Sequence, residues 1–541
     1  MDSPATTPAT ASPATAATAS PATAATASPA VTGHPRRWFI LGILCACLVL
    51  IVASVSSLNI AIPLIQSALG ATQTQVQWII DAYALVFAGL LLPAGAIGDR
   101  FGRKWTLLAG LGIFGVASTV ASTAGSPTQL IAMRAVMGIG AALIMPSTLS
   151  LLTSVFPPHE RPKAIALWAG FAGAGGAIGV VSSGALLEKF WWGSVFFIVV
   201  PIVAIAAVFI ALIVPNSHAP EGNPLDPFGS VFSIVGFSSL VFAIIEGPSR
   251  GWGDVLVIGG FVASVLGLGA FVWWELRSTH PMLDPRYFRI PRFRVGAIVV
   301  TTAFFAMFGM FFVTALYFQF VKGYSPLKTG IATLPFATTM IIVAPRAVLI
   351  QQKLTVRRTI ALGLALITAG LLILTFLLRA DSSYLVPLIG VCLMAAGAGC
   401  AMPSSTTSIM TSLPMHKAGV GSAVNDTTRE VGGALGIALI GSVLASVYRS
   451  NFHAADTLPA PARAMARDSI GGASFVAKKQ FGADTAGLQA FMHDAGVAFT
   501  KGVNLGLGIG AVMCFLMIFV VLKVYPRDTE LGRQAEMPTG H

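Results

Sequence analysis

Charge is what this sequence has least of. Only 10% of its 541 residues are Asp, Glu, Lys or Arg, whereas soluble proteins average about 25%. Hydrophobic residues make up 55% of the chain, and its 56 glycines are typical of helices that pack closely in lipid. This composition predicts a polytopic membrane protein and excludes an ordinary soluble domain.

Cysteine and the usual catalytic motifs are also scarce. The five cysteines all lie inside apolar runs, so they form neither a disulfide framework nor a metal-binding spacing. The sequence contains no P-loop and no nucleophile beside a base, and only residues 449–501 form a loop long enough to collect catalytic groups. We therefore expect no enzyme activity, no cofactor, no bound metal and no use of ATP by this chain.

Long apolar stretches fill most of the chain after residue 33. Residues 1–33 repeat a Pro/Ala/Thr-rich unit of eight residues, which predicts a disordered tail because such a composition cannot build a core. Each later stretch has about 20 residues, enough for a helix to cross a ~30 Å hydrocarbon core. The sequence predicts fourteen spans, at 37–58, 78–97, 105–124, 130–152, 164–187, 195–214, 228–246, 254–274, 295–316, 329–350, 358–378, 385–407, 421–447 and 501–523.

The distribution of Lys and Arg predicts the orientation. With the N-terminus inside, 19 of the 33 basic residues fall in cytoplasmic segments and 11 in external ones, as the positive-inside rule requires. Residues 215–227 are an exception, since they carry no Lys or Arg. We therefore expect an all-α polytopic fold with both termini cytoplasmic. Because the basic residues are spread over short loops, the net charge of +12 does not predict nucleic-acid binding.

Five of the few ionisable residues inside spans are candidate functional residues, because each such residue costs roughly 2.5–3.5 kcal/mol on insertion scales. Asp81 in span 2 has no basic residue within helical reach, so it pairs across helices, faces water or binds a proton. Arg134 in span 4 either biases a carboxylate or forms a structural pair. In span 13, Asp426, Arg429 and Glu430 share one helix face, so Arg429 can pair with either acid. That group is either a structural ion pair or a coupling pair that a proton or cation opens.

A polar segment separates spans 2 and 3. It holds four charges and three glycines between two apolar runs, which predicts a tight turn at the membrane surface, acting as a stop signal or as a conformational latch. Asp99 is placed to cap the helix that follows, and the basic residues mark the cytoplasmic side. The candidate latch residues are Gly95, Gly98, Asp99, Arg100, Gly102, Arg103 and Lys104.

This segment resembles the loop 2–3 motif of the major facilitator superfamily at every charged and glycine position. Arg134 with Gly138 and Gly140 resembles the fourth-span motif of the same superfamily. The fourteen spans and three further segments are similar to the fourteen-span drug:proton antiporters of bacteria, and the resemblance covers about residues 34–525. Those segments are 78–83, 191–196 and 419–430.

The resemblance implies two six-helix bundles with two extra helices between them, and a central cavity that opens alternately to each side. It also implies that proton influx supplies the energy and that Asp99 and Arg103 form part of a cytoplasmic latch. By the same resemblance, Asp81 takes part in proton coupling or cation recognition, and Arg134 lies near the proton path. The expected divisions are the tail 1–33, the first bundle 34–215, the extra helices and linker 216–290, helices 9–13 in 291–448, the external loop 449–500, helix 14 in 501–525 and the cytoplasmic tail 526–541.

Three positions depart from the family pattern. Ser54 stands where span 1 often has an acid. Val180 and Ser183 replace a proline and a glycine of the fifth-span antiport motif, where the proline shapes a kink and the glycine allows close packing.

The expected function is a proton-driven exporter of hydrophobic or cationic compounds in the bacterial inner membrane. Its partners are then small substrates, protons and membrane lipid, with no nucleic acid and with a monomer favoured. The rival hypotheses are an exporter of an endogenous lipid or metabolite, a non-transporting scaffold or receptor that kept the fold, and uptake or uniport.

Overall fold

A computed structural model describes residues 33–71, 73–217, 225–481 and 485–527. The predicted tail 1–33, except for its last residue, and most of the predicted tail 526–541 lie outside the described residues. Within the described part of the chain, fourteen helices are long and apolar enough to cross a membrane. The predicted all-α fold with fourteen spans is therefore confirmed.

The spanning helices form three consecutive groups. The first six are α1 (Arg37–Leu69), α2 (Gln73–Phe101), α3 (Arg103–Ser122), α4 (Pro127–Val155), α5 (Arg161–Leu187) and α6 (Ser194–Ile213). The next two are α7 (Pro227–Arg250) and α8 (Val255–Glu275). The last six are α9 (Pro291–Val321, whose last five residues form a π-helical turn), α10 (Leu327–Leu354), α11 (Val356–Leu377), α12 (Leu385–Thr411), α13 (Ala418–Asn451) and α14 (Thr485–Val524).

Short polar side chains set where several spans begin. Ser126 at the start of α4 and Asp226 at the start of α7 accept a hydrogen bond from a backbone N–H of the first turn. Each is followed by a proline at the first helical position, which lacks the N–H that would be unpaired there. The residue just before each of these helices therefore provides a hydrogen-bond acceptor for the unpaired N–H groups of the first turn.

Two large hydrophobic cores lie side by side. One consists almost entirely of residues from α1–α6, and the other of residues from α9–α14 and the segment between the last two helices. Helices α7 and α8 pack on each other, and α7 also packs on α2 and α13. The two cores meet where α2 packs on α13 and where α5 packs on α10. Contacts of α4 with α13 and of α5 with α12 also join the halves of the molecule.

Glycines allow α5 to lie directly on α1. A Cβ atom on Gly179 would come within 2.7 Å of the Cα atom of Ala53, closer than side chains approach a backbone. On another side of α5, the side chain of Val180 faces Gly330 of α10, where an added Cβ would lie 2.7 Å from Val180 Cγ1. Val180, which replaces the family's proline, thus fits a gap left by a glycine of the opposite half.

The last helix begins earlier than its apolar run suggests. We predicted helix 14 over 501–525, but α14 starts at Thr485, because the amphipathic piece before residue 501 continues into the span. Its face with Phe491 and Ala495 is buried, while Asp494 accepts a hydrogen bond from the backbone of Ala454 at 3.0 Å. Two short helices, Ala460–Asp468 and Ile470–Phe481, also lie in the predicted external loop and pack on the second core.

Gly179→Ala tests the packing of α5 on α1. The added methyl group is expected to destabilise the protein by about 1–3 kcal/mol, the usual effect of overpacking a core. The measurement is the temperature at which the cysteines, four of them buried, become reactive to a fluorescent maleimide in detergent. Gly112→Ala is the control, since its Cβ would meet nothing within 4 Å, and equal unfolding temperatures for the two variants would contradict the close contact.

Candidate functional site

The segment between α2 and α3 is shorter than a loop. Helix α2 continues through Asp99 to Phe101, and α3 begins at Arg103, so Gly102 alone makes the turn. Its φ of 102° lies in the region that favours glycine. The predicted tight turn is therefore present, and it places Asp99 inside the last turn of α2.

Asp99 caps a helix of the other half of the molecule. The prediction that it caps the following helix is wrong, because α3 begins at Arg103 and no side chain caps its start at Gly102. Instead, Asp99 Oδ1 accepts a hydrogen bond from the backbone N–H of Gly419 at 2.9 Å, and Oδ2 accepts one from Val420 at 3.2 Å. These are first-turn N–H groups of α13, which lack partners within their helix and favour an anion.

Arg103 completes the contact. Its Nε and Nη2 donate to Asp99 Oδ1 at 3.0 and 2.8 Å, and Nη2 also donates to the carbonyl of Met415 at 2.9 Å. Both charged side chains are buried, with 6% of Asp99 and 3% of Arg103 exposed. Because each bond is charge-assisted and shielded from water, the contact is stronger than a surface ion pair. We call Asp99, Arg103 and the N–H groups of Gly419 and Val420 the latch.

Two glycines bring the backbones together at the latch. A Cβ on Gly95 would lie 2.6 Å from the carbonyl oxygen of Gly419, and a Cβ on Gly419 would lie 2.5 Å from the carbonyl oxygen of Gly95. Any larger residue at either position would hold α2 and α13 apart and lengthen the hydrogen bonds of Asp99. The glycine at 95 is therefore required by geometry.

The other predicted latch residues make contacts inside the first half. Gly98 faces Ser147 and Thr106 of its own half at ordinary distances. Lys104 Nζ donates to the carbonyl of Ala211 at the end of α6, at 2.7 Å. Arg100 is exposed and lies over the ring of Phe101. The motif thus combines the inter-half latch with contacts inside the first half.

Arg134 is held by an aromatic ring and a backbone carbonyl. Its guanidinium lies 4.4 Å from the centre of the Tyr83 ring, and its Nε donates to the carbonyl of Ile79 at 3.0 Å. Among the described residues it forms no ion pair within 4 Å, and its Nη1 has no hydrogen-bond partner. The structure therefore places Arg134 beside Tyr83 on α2 and without a carboxylate partner, contrary to the pairing that we considered.

Arg429 sits between the two halves. It pairs with Asp426 at 3.4 Å in preference to Glu430, since adjacent residues do not face each other on a helix. Its guanidinium lies 4.7 Å from the ring centre of Phe304 on α9 and 5.1 Å from that of Trp168 on α5. Two aromatic faces therefore supply the attraction that a second carboxylate would otherwise give.

The Asp426 carboxyl is fully buried and only partly satisfied. Its Oδ1 accepts from Asn425 Nδ2 at 3.2 Å and from Arg429, whereas Oδ2 has no hydrogen-bond partner. Glu430 makes no ion pair within 4 Å among the described residues and interacts electrostatically with Arg429 and with Tyr83 of α2. The acids of α13 thus lie at the interface with the first half, with bonding capacity left unused.

Asp81 occupies a different face of α2 from the Tyr83 ring that holds Arg134. It is buried, and its Oδ2 has no hydrogen-bond partner. Gln77, one helical turn earlier on the same face, donates to Glu246 of α7 at 3.2 Å, and Glu246 pairs with Arg250. Glu246 also interacts electrostatically with Asp81. Asp81 therefore faces the first of the two extra helices.

The sequence analysis did not identify several residues that contact the buried charged groups. Tyr83, Trp168 and Phe304 hold the two arginines, but aromatic residues in a span are usually packing residues, so only the positions of Arg134 and Arg429 could have drawn attention to them. Ser54, which stands where the family often has an acid, is buried with an unpartnered hydroxyl. In the described part of the chain, no three His, Cys, Asp or Glu residues converge to hold a metal ion.

Comparisons with known proteins agree with this architecture. The profile described as Major Facilitator Superfamily matches residues 44–437. The multidrug efflux pump LfrA of Mycolicibacterium smegmatis is 32% identical over 493 residues, which are 91% of this chain and 97% of that protein. The puromycin resistance protein pur8 of Streptomyces alboniger is 34% identical over 417 residues, and the methyl viologen resistance protein SmvA of Salmonella typhimurium is 32% identical over 444 residues. These cover 76% and 81% of this chain, and 82% and 88% of the two relatives.

Solved structures share the fold at low sequence identity. The human organic anion transporter MFSD10 (TETRAN) superposes with a TM-score of 0.58 over 90% of this chain and 100% of that chain, at 14% identity. A bacterial homologue of the human lysosomal transporter Spinster gives a TM-score of 0.56 at 17% identity, over 92% of this chain and 100% of that chain. At such identities the likeness concerns the fold alone.

Asp99→Asn tests the latch. The amide keeps the size of the carboxylate but loses the charge that Arg103 and the α13 N-terminus require, so α2 and α13 separate more often. A hydrogen bond to a charged group contributes about 1.5–3 kcal/mol, and about 1.4 kcal/mol is a factor of ten. A cysteine replacing Val420, which is 2% exposed, is therefore expected to react at least about tenfold faster with a water-soluble maleimide in detergent.

The matched control is Glu160→Gln. Glu160 pairs with Arg37 at 2.6 Å within the first half, and this hydrogen bond holds the pKa of the Glu160 carboxyl below its usual range. Its loss should leave the reactivity of the cysteine at position 420 unchanged. If Asp99→Asn behaves like Glu160→Gln, Asp99 does not hold the halves together.

Proposed function

The chain belongs to the major facilitator superfamily, and from that premise we propose that it is a multi-pass carrier of the bacterial inner membrane that exports hydrophobic or cationic drugs. Export proceeds by alternating access, and proton entry drives it. The protein acts as a carrier and not as an enzyme. Small drugs, protons and lipid are its partners, and it works as a monomer.

The latch carries this proposal. A carrier needs a contact that closes one face of the cavity and can reopen, and the latch joins the halves through polar bonds that water can replace. The excess of Lys and Arg assigns the latch side to the cytoplasm, with both termini on that side. The conformation described here then has its cytoplasmic face closed, as expected after release of a drug to the outside.

The relatives' names and the interior support the type of cargo. Relatives that share most of their length with this chain are named for multidrug efflux, puromycin resistance and methyl viologen resistance. Between the halves, Trp168 and Phe304 present aromatic faces to a guanidinium. Such faces also attract flat organic cations, so a drug that displaces Arg429 would find a ready-made partner.

Asp81 is the proposed proton carrier. A buried carboxyl with one unpartnered oxygen is costly when ionised and is stabilised by a proton or a cationic ligand. Arg134 has a positioning role, since it holds the Ile79 carbonyl one half-turn before Asp81. Asp426 and Arg429 open and close as a pair, and Glu430 interacts electrostatically with Arg429.

The energy is sufficient for useful export. Each charge that crosses a membrane potential of 100 mV releases about 2.3 kcal/mol, which corresponds to roughly a fiftyfold concentration ratio. One or two protons per drug are therefore enough.

Asp81→Asn tests the coupling. In everted membrane vesicles, the wild type is expected to accumulate ethidium or methyl viologen only when the vesicle interior is acidified. Asp81→Asn is expected to lose at least about 90% of that flux, because removing a proton-transfer group typically slows a reaction a hundredfold or more. Asp381→Asn is the control, since Asp381 lies exposed in the connection between α11 and α12.

Three outcomes separate the hypotheses. Flux in Asp81→Asn equal to that of the wild type refutes the role of Asp81. Flux of a lipid or metabolite extract component, without flux of either dye, replaces the drug with an endogenous cargo. The lack of any gradient-dependent flux in the wild type favours a scaffold or receptor over a transporter.

A further inference from the structure

Two buried carboxyl groups meet at the latch-side ends of the extra helices. Asp226 caps α7, and Glu275 is the last residue of α8. Asp226 is 8% exposed and Glu275 is 2% exposed. Neither belongs to the latch or to the group of Asp81, Asp426 and Glu430, and neither forms an ion pair within 4 Å among the described residues.

Gly229 lies between these two carboxyl groups. A Cβ atom on Gly229 would lie 2.8 Å from Asp226 Oδ2 and 2.8 Å from Glu275 Oε1. The two oxygens are therefore less than about 6 Å apart, in a space that only a glycine leaves open. The geometry brings two like charges together in a buried site.

The hydrogen bonds leave one oxygen of this pair without a donor. Asp226 accepts from the backbone of Gly229 at 2.8 Å and from Trp274 Nε1 at 2.8 and 2.9 Å. Glu275 Oε2 accepts from the backbone of Leu283 at 3.3 Å, whereas its buried Oε1 has no partner. A proton on Glu275 Oε1, donated to Asp226 Oδ2, would satisfy the orphan oxygen and remove the like-charge repulsion.

We propose that Asp226 and Glu275 form a second proton-binding site, in which the two carboxyl groups share one proton while the latch is closed. A metal ion is a poorer occupant, because hard cations take six or more oxygen ligands, whereas both groups that bond to Asp226, the backbone of Gly229 and Trp274 Nε1, are N–H donors. The site lies on the two extra helices, outside both six-helix groups.

The site is connected to the latch through the segment between α8 and α9. Lys417, which directly precedes α13, donates through Nζ to the carbonyl of Pro281 at 2.6 Å, and Leu283 donates to Glu275. We call residues 276–284 the strap. A small cavity of about 40 Å³ separates the strap from the latch, with Asp99, Asp226, Pro281 and Lys417 in its wall.

Several charged or titratable groups lie near this site. Lys417 interacts electrostatically with Glu275, Asp99 and Asp284, and the walls of the small cavity also hold Arg100, His280 and His416. When the shared proton leaves, Asp226 and Glu275 both become negative and repel each other. The ends of α7 and α8 then separate, the strap loses its hold on Lys417, and the N-terminus of α13 is freed from one side.

The proton site thus makes the latch respond to pH on its own side of the membrane. An alkaline solution removes the proton and favours opening, whereas an acidic solution keeps the latch closed. This response goes beyond the proposed export function and does not depend on the cargo, because it concerns the protein without substrate.

Glu275→Gln is the first test. The amide can donate to Asp226 in place of the shared proton, so it should keep the strap closed at every pH. The measurement is the maleimide reactivity of a cysteine replacing Val420 in detergent, divided at each pH by that of a cysteine replacing the exposed Thr411, which corrects for thiol ionisation. The ratio is expected to rise with pH in the wild type. This rise, from low to high pH, should be at least about threefold larger in the wild type than in Glu275→Gln.

Gly229→Ala is the opposite test. Its methyl group pushes both oxygens apart, so the pair cannot share a proton and the ratio should be high even at low pH. Gly259→Ala on α8 is the control, because an added Cβ there meets nothing within 4 Å, and Glu188→Gln controls for loss of an exposed acid.

Infrared spectroscopy detects the shared proton directly. The infrared absorption of protonated carboxyl groups should lose one component in Glu275→Gln and keep it in Glu188→Gln, whatever the effect on folding of Gly229→Ala. A pH midpoint that is the same in the wild type and Glu275→Gln overturns the proposal, since Asp99, His280 or His416 would then be responsible. An unchanged infrared spectrum also overturns it. Neither result affects dye export, which is measured separately.

Discussion

The arrangement of the two halves depends on one carboxylate that caps a helix belonging to the other half. Asp99 provides α13 with the acceptor that its first-turn N–H groups lack, and Arg103 neutralises the charge of Asp99. The contact is specific because the bonds are directional and because Gly95 and Gly419 let the backbones touch. It is also reversible, since water can hydrate both the carboxylate and the helix end once they separate. An apolar contact of the same area would lack this directional requirement.

The same design recurs deeper in the membrane region. The buried arginines are held mainly by aromatic rings, a carbonyl and one carboxylate, and the acids Asp81 and Asp426 each keep an unpartnered oxygen. A fully paired network would resist rearrangement, because breaking a buried pair costs about 3–5 kcal/mol. Groups with partners of moderate strength can instead exchange them when a proton or a cation arrives. The extra helices add a third example, in Asp226 and Glu275.

The sequence predicts the number and type of elements well, because apolar length and charge are local properties. It also identifies the polar segment after α2 and the five candidate charged residues inside spans 2, 4 and 13. It fails where the outcome depends on contacts between distant segments. Asp99 was expected to cap the next helix, since its neighbour in sequence is α3, whereas the folded chain brings α13 against it. The start of α14 was placed too late because polar residues on its outer face interrupt the apolar run.

The interior shows the same limit. Nothing in the order of residues indicates that Trp168 and Phe304, from two different halves, would enclose Arg429, or that Gly229 would leave room for two carboxyl groups from the ends of different helices. From the sequence, Val180 and Ser183 were seen only as replacements of a proline and a glycine in the fifth-span motif. In the structure Val180 fills the gap at Gly330 of α10, and the Ser183 hydroxyl donates to the Gly179 carbonyl at 2.7 Å, so both positions are packed.

The central claim is that the latch closes and opens during transport. The most direct measurement is the distance between spin labels at positions 101 and 415, whose side chains are exposed on the two sides of the latch, in a variant without native cysteines. The account predicts one short distance in the drug-free protein at acidic pH and a second, longer distance that gains population when methyl viologen or ethidium is added at alkaline pH. A single distance that is unchanged by drug and pH would contradict it.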